Sequence, residues 1–190
     1  MVRNDSRRNA LADAGIAVLA REGARGLTHR AVDAEAGVPT GTTSNYFRSR
    51  DALLTGLVER IGARLGPTPQ DLARRAEQQP GRDLFADYMR DIVRRLSAEP
   101  DATRALFELR LDSARRPELR ALLEPWLRAA FDGDLAFNQA AGLPGGRREI
   151  ALFHYAIEGL LFDRLTTSIA PDIPTDEVVD ALVAGLLPEE

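Results

Sequence analysis

Residues 38–50 contain five Ser or Thr hydroxyls, one Asn, one Tyr and two Arg, and no Asp or Glu. These groups bond phosphates and base edges. Asn pairs adenine bidentately, Thr bonds either base edge and touches a thymine methyl, and Arg neutralises phosphate. The spacing predicts a short helix beginning at Pro39-Thr40, with proline at the position where a missing N–H costs nothing. A preceding helix is capped by Thr28 and turns Ala31, Val32 and Ala36 inward and Glu35 to solvent, and Gly37 takes the positive φ of a helix stop. Two short helices joined by a glycine turn make a helix-turn-helix DNA reader. On that pattern Thr40, Thr42, Thr43 and Asn45 reach base edges around Gly41, and Ser44 faces the duplex. Leu27, Val32, Val38 and Phe47 form the small core beneath them.

The elements that position this segment extend the pattern. An apolar helix over residues 6–22 leads through Gly23 and Gly26 into Leu27-Thr28. The Ala36-Gly37-Val38 turn, Gly41 and the Tyr46-Phe47 pair follow, and the segment closes on Ser49-Arg50-Asp51-Ala52-Leu53-Leu54. In order and spacing the segment resembles the DNA-binding domain of the TetR family of bacterial transcriptional regulators. It departs where the family usually has Leu-Tyr inside the recognition helix. Thr43-Ser44 stands there instead, so an apolar wedge and an aromatic contact are missing.

The resemblance implies an all-α fold, with a three-helix DNA-binding domain plus a bridging helix over residues 1–65 and a larger effector-binding and dimerisation domain over 66–190. It also implies a homodimer on an approximately palindromic double-stranded operator, and a small-molecule effector whose binding changes the separation of the two readers. Thr28, His29, Arg30, Tyr46 and Arg50 are then phosphate or groove-edge contacts, and Arg3, Arg7 and Arg8 a basic arm. The alternative for each is a solvated surface residue, and for Thr28 a purely capping role.

Charge divides in the same sense. Residues 1–60 hold nine Arg against seven acids, a balance of +2, whereas the rest holds sixteen Arg against twenty-two acids, a balance of −6. A polyanion-binding face belongs at the N-terminal end. All the basic residues are arginine. The absence of lysine excludes a Walker phosphate loop, a Schiff-base enzyme and a lysine general base. With no cysteine, disulfides, thiolate zinc sites and cysteine nucleophiles are excluded, and a reducing cytoplasm is the expected location. No run of eighteen apolar residues suggests a membrane span, and no cofactor or metal is expected.

Beyond the reader, apolar residues recur near the helical period throughout. Leu53, Leu54, Leu57, Val58, Ile61 and Leu65 define a helix ending at Gly66-Pro67, and further helices are expected over residues 83–97, 101–115 and from Pro117 toward Gly142. Pro125 is expected to kink or split the last of these. Two final helices span 147–168 and 175–187. The first is apolar nearly all round, so it must touch its own core and something else. The resemblance makes the pair a four-helix dimer interface, here read as Phe153, Ile157, Gly159, Leu160, Val179, Leu182 and Val183. Candidate effector contacts are Phe85, Met89, Phe107, Arg110, Leu111, Trp126, Phe137, His154 and Glu158. These suit a hydrophobic or amphipathic effector, with core packing as the alternative for each. Arg110, Asp112 and Glu108 read as a solvated helix face.

Two rivals exist for the second domain. An all-α enzyme is poorly served by two histidines, with no GxSxG elbow and no acidic metal motif, so no catalytic residue is assigned. A helical adaptor keeping the helix-turn-helix as scaffold is the other, supported by the Thr43-Ser44 departure.

Overall fold

The computed structural model describes residues 5–73, 75 and 78–188. The described helices are, in order, α1 (Asp5–Gly26), α2 (His29–Glu35), α3 (Thr42–Tyr46), α4 (Arg50–Leu65), α5 (Pro69–Ala73), α6 (Arg82–Ala98), α7 (Pro100–Ser113), α8 (Pro117–Ala140), α9 (Arg147–Leu165) and α10 (Thr175–Leu186). No strand occurs among the described residues. The fold is all-α, as the periodicity predicts.

The chain forms two compact units, one running to Gly66 and including Glu99–Glu124, the other made of Pro67–Ala98 and the chain from Pro125 onward. By its contacts α7 groups with the first unit, although it follows the division expected at residue 65. Its Ala102, Ala105 and Leu109 are completely buried, and the helix packs on α1 and α4.

In the first unit, Leu11, Ile16 and Leu19 of α1 meet Leu53, Leu57 and Ile61 of α4, with Leu27, Val32 and Phe47 closing the core. Val38, expected with them, is only half-buried. Gly56 lets the Phe47 ring lie against α4, because a Cβ there would fall 2.3 Å from the ring edge. Asp13 on α1 accepts from Arg60 at 2.9 and 2.8 Å and from Arg64 at 3.2 Å, and Arg64 also pairs with Glu99.

In the second unit α6, α9 and α10 pack together. The Phe85 and Phe153 rings lie 4.8 Å apart, and Ile157, Leu161, Val179 and Val183 are buried around them. Asp91 is buried and pairs with Arg75 at 3.2 Å, Arg95 at 2.9 Å and Arg94 at 3.3 Å. α8 is not split by Pro125. The proline removes the N–H that would meet the Ala121 carbonyl, and the boundary between the two units falls at this residue.

Candidate nucleic-acid interface

The reader is built from local signals that act as expected at its first helix. Thr28 is extended and its Oγ1 accepts the Ala31 N–H at 3.1 Å, capping α2. Gly37 has φ +62° and stops that helix, with the Val38 N–H donating to the Asp33 carbonyl at 3.0 Å. The second helix starts later than Pro39-Thr40. Residues 39–41 form a turn, in which the Thr42 N–H donates to the Pro39 carbonyl at 3.1 Å, and Gly41, at φ +94°, precedes the five-residue α3.

The structure separates the sequence candidates. Thr40, Ser44 and Asn45 are exposed, and Gly41, Thr42 and Tyr46 are half-buried. Two hydroxyls already donate within the turn, Thr42 to the Pro39 carbonyl at 2.6 Å and Ser44 to the Gly41 carbonyl at 2.8 Å. Their oxygens keep acceptor capacity. Thr43 is not a base reader: its exposure is 0%, and its Oγ1 donates to Asp33 at 2.6 Å.

Two predicted phosphate contacts are also committed elsewhere. The Arg50 guanidinium donates to the Leu27 and Ala24 carbonyls, each at 2.6 Å, tying α4 to the end of α1. His29 Nε2 lies 2.6 Å from the Phe47 carbonyl oxygen, so that nitrogen carries the proton. Arg8 pairs with Glu59 at 3.0 Å and lies 5.0 Å from the Phe47 ring centroid. It is no free arm. Arg7 is exposed, and Arg3 lies outside the described residues.

Arg30 and Arg48 are exposed with no ion pair among the described residues. Arg48 is a contact candidate that sequence reasoning passes over in favour of Arg50, although it belongs to the same acid-free segment. Asp33 escapes it as well. This residue lies four positions after His29, on the same helix face, and is 2% exposed. Burial raises its pKa. The hydrogen bonds from the Thr43 hydroxyl, the Thr43 N–H and the Gly41 N–H outweigh that, with the charge of His29 adding to them, so the carboxyl titrates below its ordinary value.

The nine effector candidates are divided between the two compact units. Phe107, Arg110 and Leu111 are on α7, in the first compact unit, because α7 packs on α1 and α4. The other six belong to the second unit. Phe85 and Met89 are core residues. Trp126 and Glu158 are half-buried, Phe137 stacks edge-on against Tyr88 at 5.1 Å, and His154 sits 3.1 Å from Asp134 and 5.4 Å from the Phe131 ring centre. A groove of about 640 Å³ in the first unit is lined by charges of both signs, including Glu22, Arg25, Glu108, Asp112, Arg115 and Arg116, and by none of the nine. Asp112 is buried against Arg115 and Arg116, so it is not part of a solvated face.

The dimer-interface candidates differ in burial within the single chain. Phe153, Ile157, Val179 and Val183 are buried within the subunit's own core. Leu160 and Leu182 are half-buried. Gly159 alone of the seven is exposed, with open space where a Cβ would stand. Beside it on α9, Tyr155 is 70% exposed. Inward residues recur at 150, 153, 157 and 161, so 155, 159 and 162 form the opposite face.

Residues 11–57 match a family model described as bacterial regulatory proteins, tetR family, and residues 80–189 match one described as tetracyclin repressor-like, C-terminal domain. The chain belongs to the TetR family, whose members are transcriptional regulators. Among solved structures, a TetR-family member from Streptomyces coelicolor A3, SCO1917, aligns with a TM-score of 0.75 at 23% identity, covering 96% of this chain and 99% of that one. The multidrug binding protein EbrR complexed with ethidium aligns with a TM-score of 0.64 at 26% identity, covering 96% and 99%. EbrR complexed with imidazole aligns at 0.68 and 24%, covering 97% and 96%. No curated protein matches the chain significantly. Among the described residues, no helix is long and apolar enough to cross a membrane, and no three His, Cys, Asp or Glu residues are grouped to hold a metal ion.

Proposed function

We propose that this chain is a cytoplasmic transcriptional repressor that binds a palindromic operator as a homodimer and is released by a hydrophobic or amphipathic small molecule. The observation that carries the proposal is the exposed surface of the α2–turn–α3 unit. Thr40, Ser44 and Asn45 stand in solvent, and in the same unit Arg30 and Arg48 are exposed with no ion pair among the described residues. Asn45 supplies bidentate base recognition, Thr40 and Ser44 bond base edges or phosphates, and the two arginines neutralise phosphate.

Dimerisation is supported by the outward face of α9, where Tyr155 and Gly159 are exposed, and by Ala181 and Gly185 on α10. Nothing lies within 4 Å of a Cβ built at either glycine, so a second copy's helices meet no side chain there. DNA reading is assigned to residues 1–65, and effector binding and dimerisation to residues 66–190. The effector class is supported by EbrR, complexed with ethidium and with proflavin, and by the half-buried or exposed Tyr88, Trp126, Phe131 and Phe137 in that unit. Release follows from linkage: an effector that prefers the DNA-incompetent form weakens operator binding by the factor by which operator weakens effector binding.

The test is selection of genomic fragments on the purified protein at two salt concentrations, followed by sequencing. Enrichment of one palindrome with steep salt dependence is expected. Retention without sequence preference, or no retention, overturns the proposal and favours a helical adaptor.

A further inference from the structure

The recognition helix is too short to fix its own pose. It has five residues, and its N-cap, Gly41, has no side chain to offer. Helices of this length are unstable alone and take their geometry from what they pack against. Here the partner is α2, through polar bonds at both ends of α3. At the N-terminal end, one Asp33 oxygen accepts the Gly41 N–H at 2.7 Å and the other accepts the Thr43 N–H at 2.7 Å and the Thr43 hydroxyl at 2.6 Å. At the other end His29 donates to the carbonyl of Phe47, whose N–H in turn donates to the Thr43 carbonyl at 2.8 Å. Asp33 and Thr43 are both buried, so solvent cannot replace these bonds cheaply.

We infer that His29 and Asp33, one helical turn apart on α2, form a polar bracket that holds α3 at both ends, and that they set operator preference by orienting Ser44 and Asn45 rather than by touching DNA. Thr43 is the third member of the bracket. Where an apolar wedge would hold the helix by shape, this carboxylate with three donors holds it by direction, since each bond is satisfied in one pose only. The bracket matters for recognition only if α3 is the DNA-reading helix, the function proposed above. Its existence does not depend on that.

The test has two readouts on Asp33→Ala, Thr43→Val and His29→Ala. Amide exchange in the free protein reports the bracket directly. Asp33→Ala is expected to speed exchange at Gly41 and Thr43 at least tenfold, with α1 and α4 unchanged, and Thr43→Val is expected to give a smaller increase at the same amides. Duplex binding reports the consequence. Affinity for the palindrome recovered by selection is expected to fall at least tenfold in Asp33→Ala, while affinity for a scrambled duplex and the salt slope stay at the wild-type values. A merely destabilised reader loses both affinities together.

For His29→Ala an unchanged salt slope is expected, whereas removing a residue that neutralises a phosphate lowers the slope by about 0.9. Unchanged exchange at Gly41 and Thr43 in both Asp33→Ala and Thr43→Val overturns the bracket, whether or not the wild type binds DNA. Altered exchange with an unchanged ratio of palindrome to scrambled affinity overturns its role in recognition. If the wild type binds no duplex, the proposed function fails and amide exchange alone decides the bracket.

Discussion

Arg50 offers the sharpest separation between a DNA contact and a structural clamp. Its guanidinium donates to the Leu27 and Ala24 carbonyls, which lie at the end of α1, where backbone oxygens lack helical partners. Arg50→Ala removes both bonds. A hydrogen bond to a charged group contributes about 1.5–3 kcal/mol, and two on one half-buried side chain do not add fully, so a loss of about 2–4 kcal/mol from the reader is expected. Arg50→Lys recovers only part, because an ammonium cannot span two carbonyls as the planar fork does.

Amide exchange at α1 and α4 measures the loss, and titration of the selected duplex across a salt series measures the DNA contribution. A clamp lowers protection and leaves the slope of log affinity against log salt unchanged. A phosphate-binding arginine leaves protection unchanged on removal and lowers the slope by about 0.9 for each phosphate it had neutralised. The second result would refute the assignment.

The α9 face and the core give opposite outcomes within one helix. Gly159→Glu is expected to yield a monomer by sedimentation with an unchanged helical spectrum, because the position is open in the subunit, whereas the buried Ile157→Ala is expected to cost about 2–5 kcal/mol in denaturant unfolding. Asp91→Ala removes the buried carboxylate that Arg75, Arg94 and Arg95 share, a change expected to destabilise the second unit by about 3–5 kcal/mol. Asp33 gives a pH signature. Its pKa is lower in the fold than its ordinary value of 3.8, so its stabilisation is complete above that value and is lost as pH falls through the lower, folded value. Amide exchange at Gly41 and Thr43 is therefore expected to accelerate below about pH 4 in the wild type beyond its intrinsic pH dependence, and this step should be absent in Asp33→Asn.

Some of this protein is local and therefore legible. Thr28 and Ser49 cap α2 and α4 through amides three residues on, Gly37 stops α2, and the 3.6-residue repeat of Leu53, Leu57 and Ile61 makes α4. Each depends on neighbours within a turn or two, so residue type and spacing suffice. Even the family is readable that way, because its pattern is a string of such local signals from Leu27 to Leu54.

What sequence leaves open lies in partners distant along the chain. Arg50 and the carbonyls it clamps are separated by 23 and 26 residues, and Asp33 and Thr43 by ten. A free arginine and a clamping one have the same letter, as do a base-reading threonine and a buried one. The same limit leaves open that α7 packs on α1 and α4 and that Ile157 and Val183 are buried within their own subunit. An apolar face announces that it will be covered, but which surface covers it is decided only when the helices pack, because burial depends on approach in space and not on order along the chain.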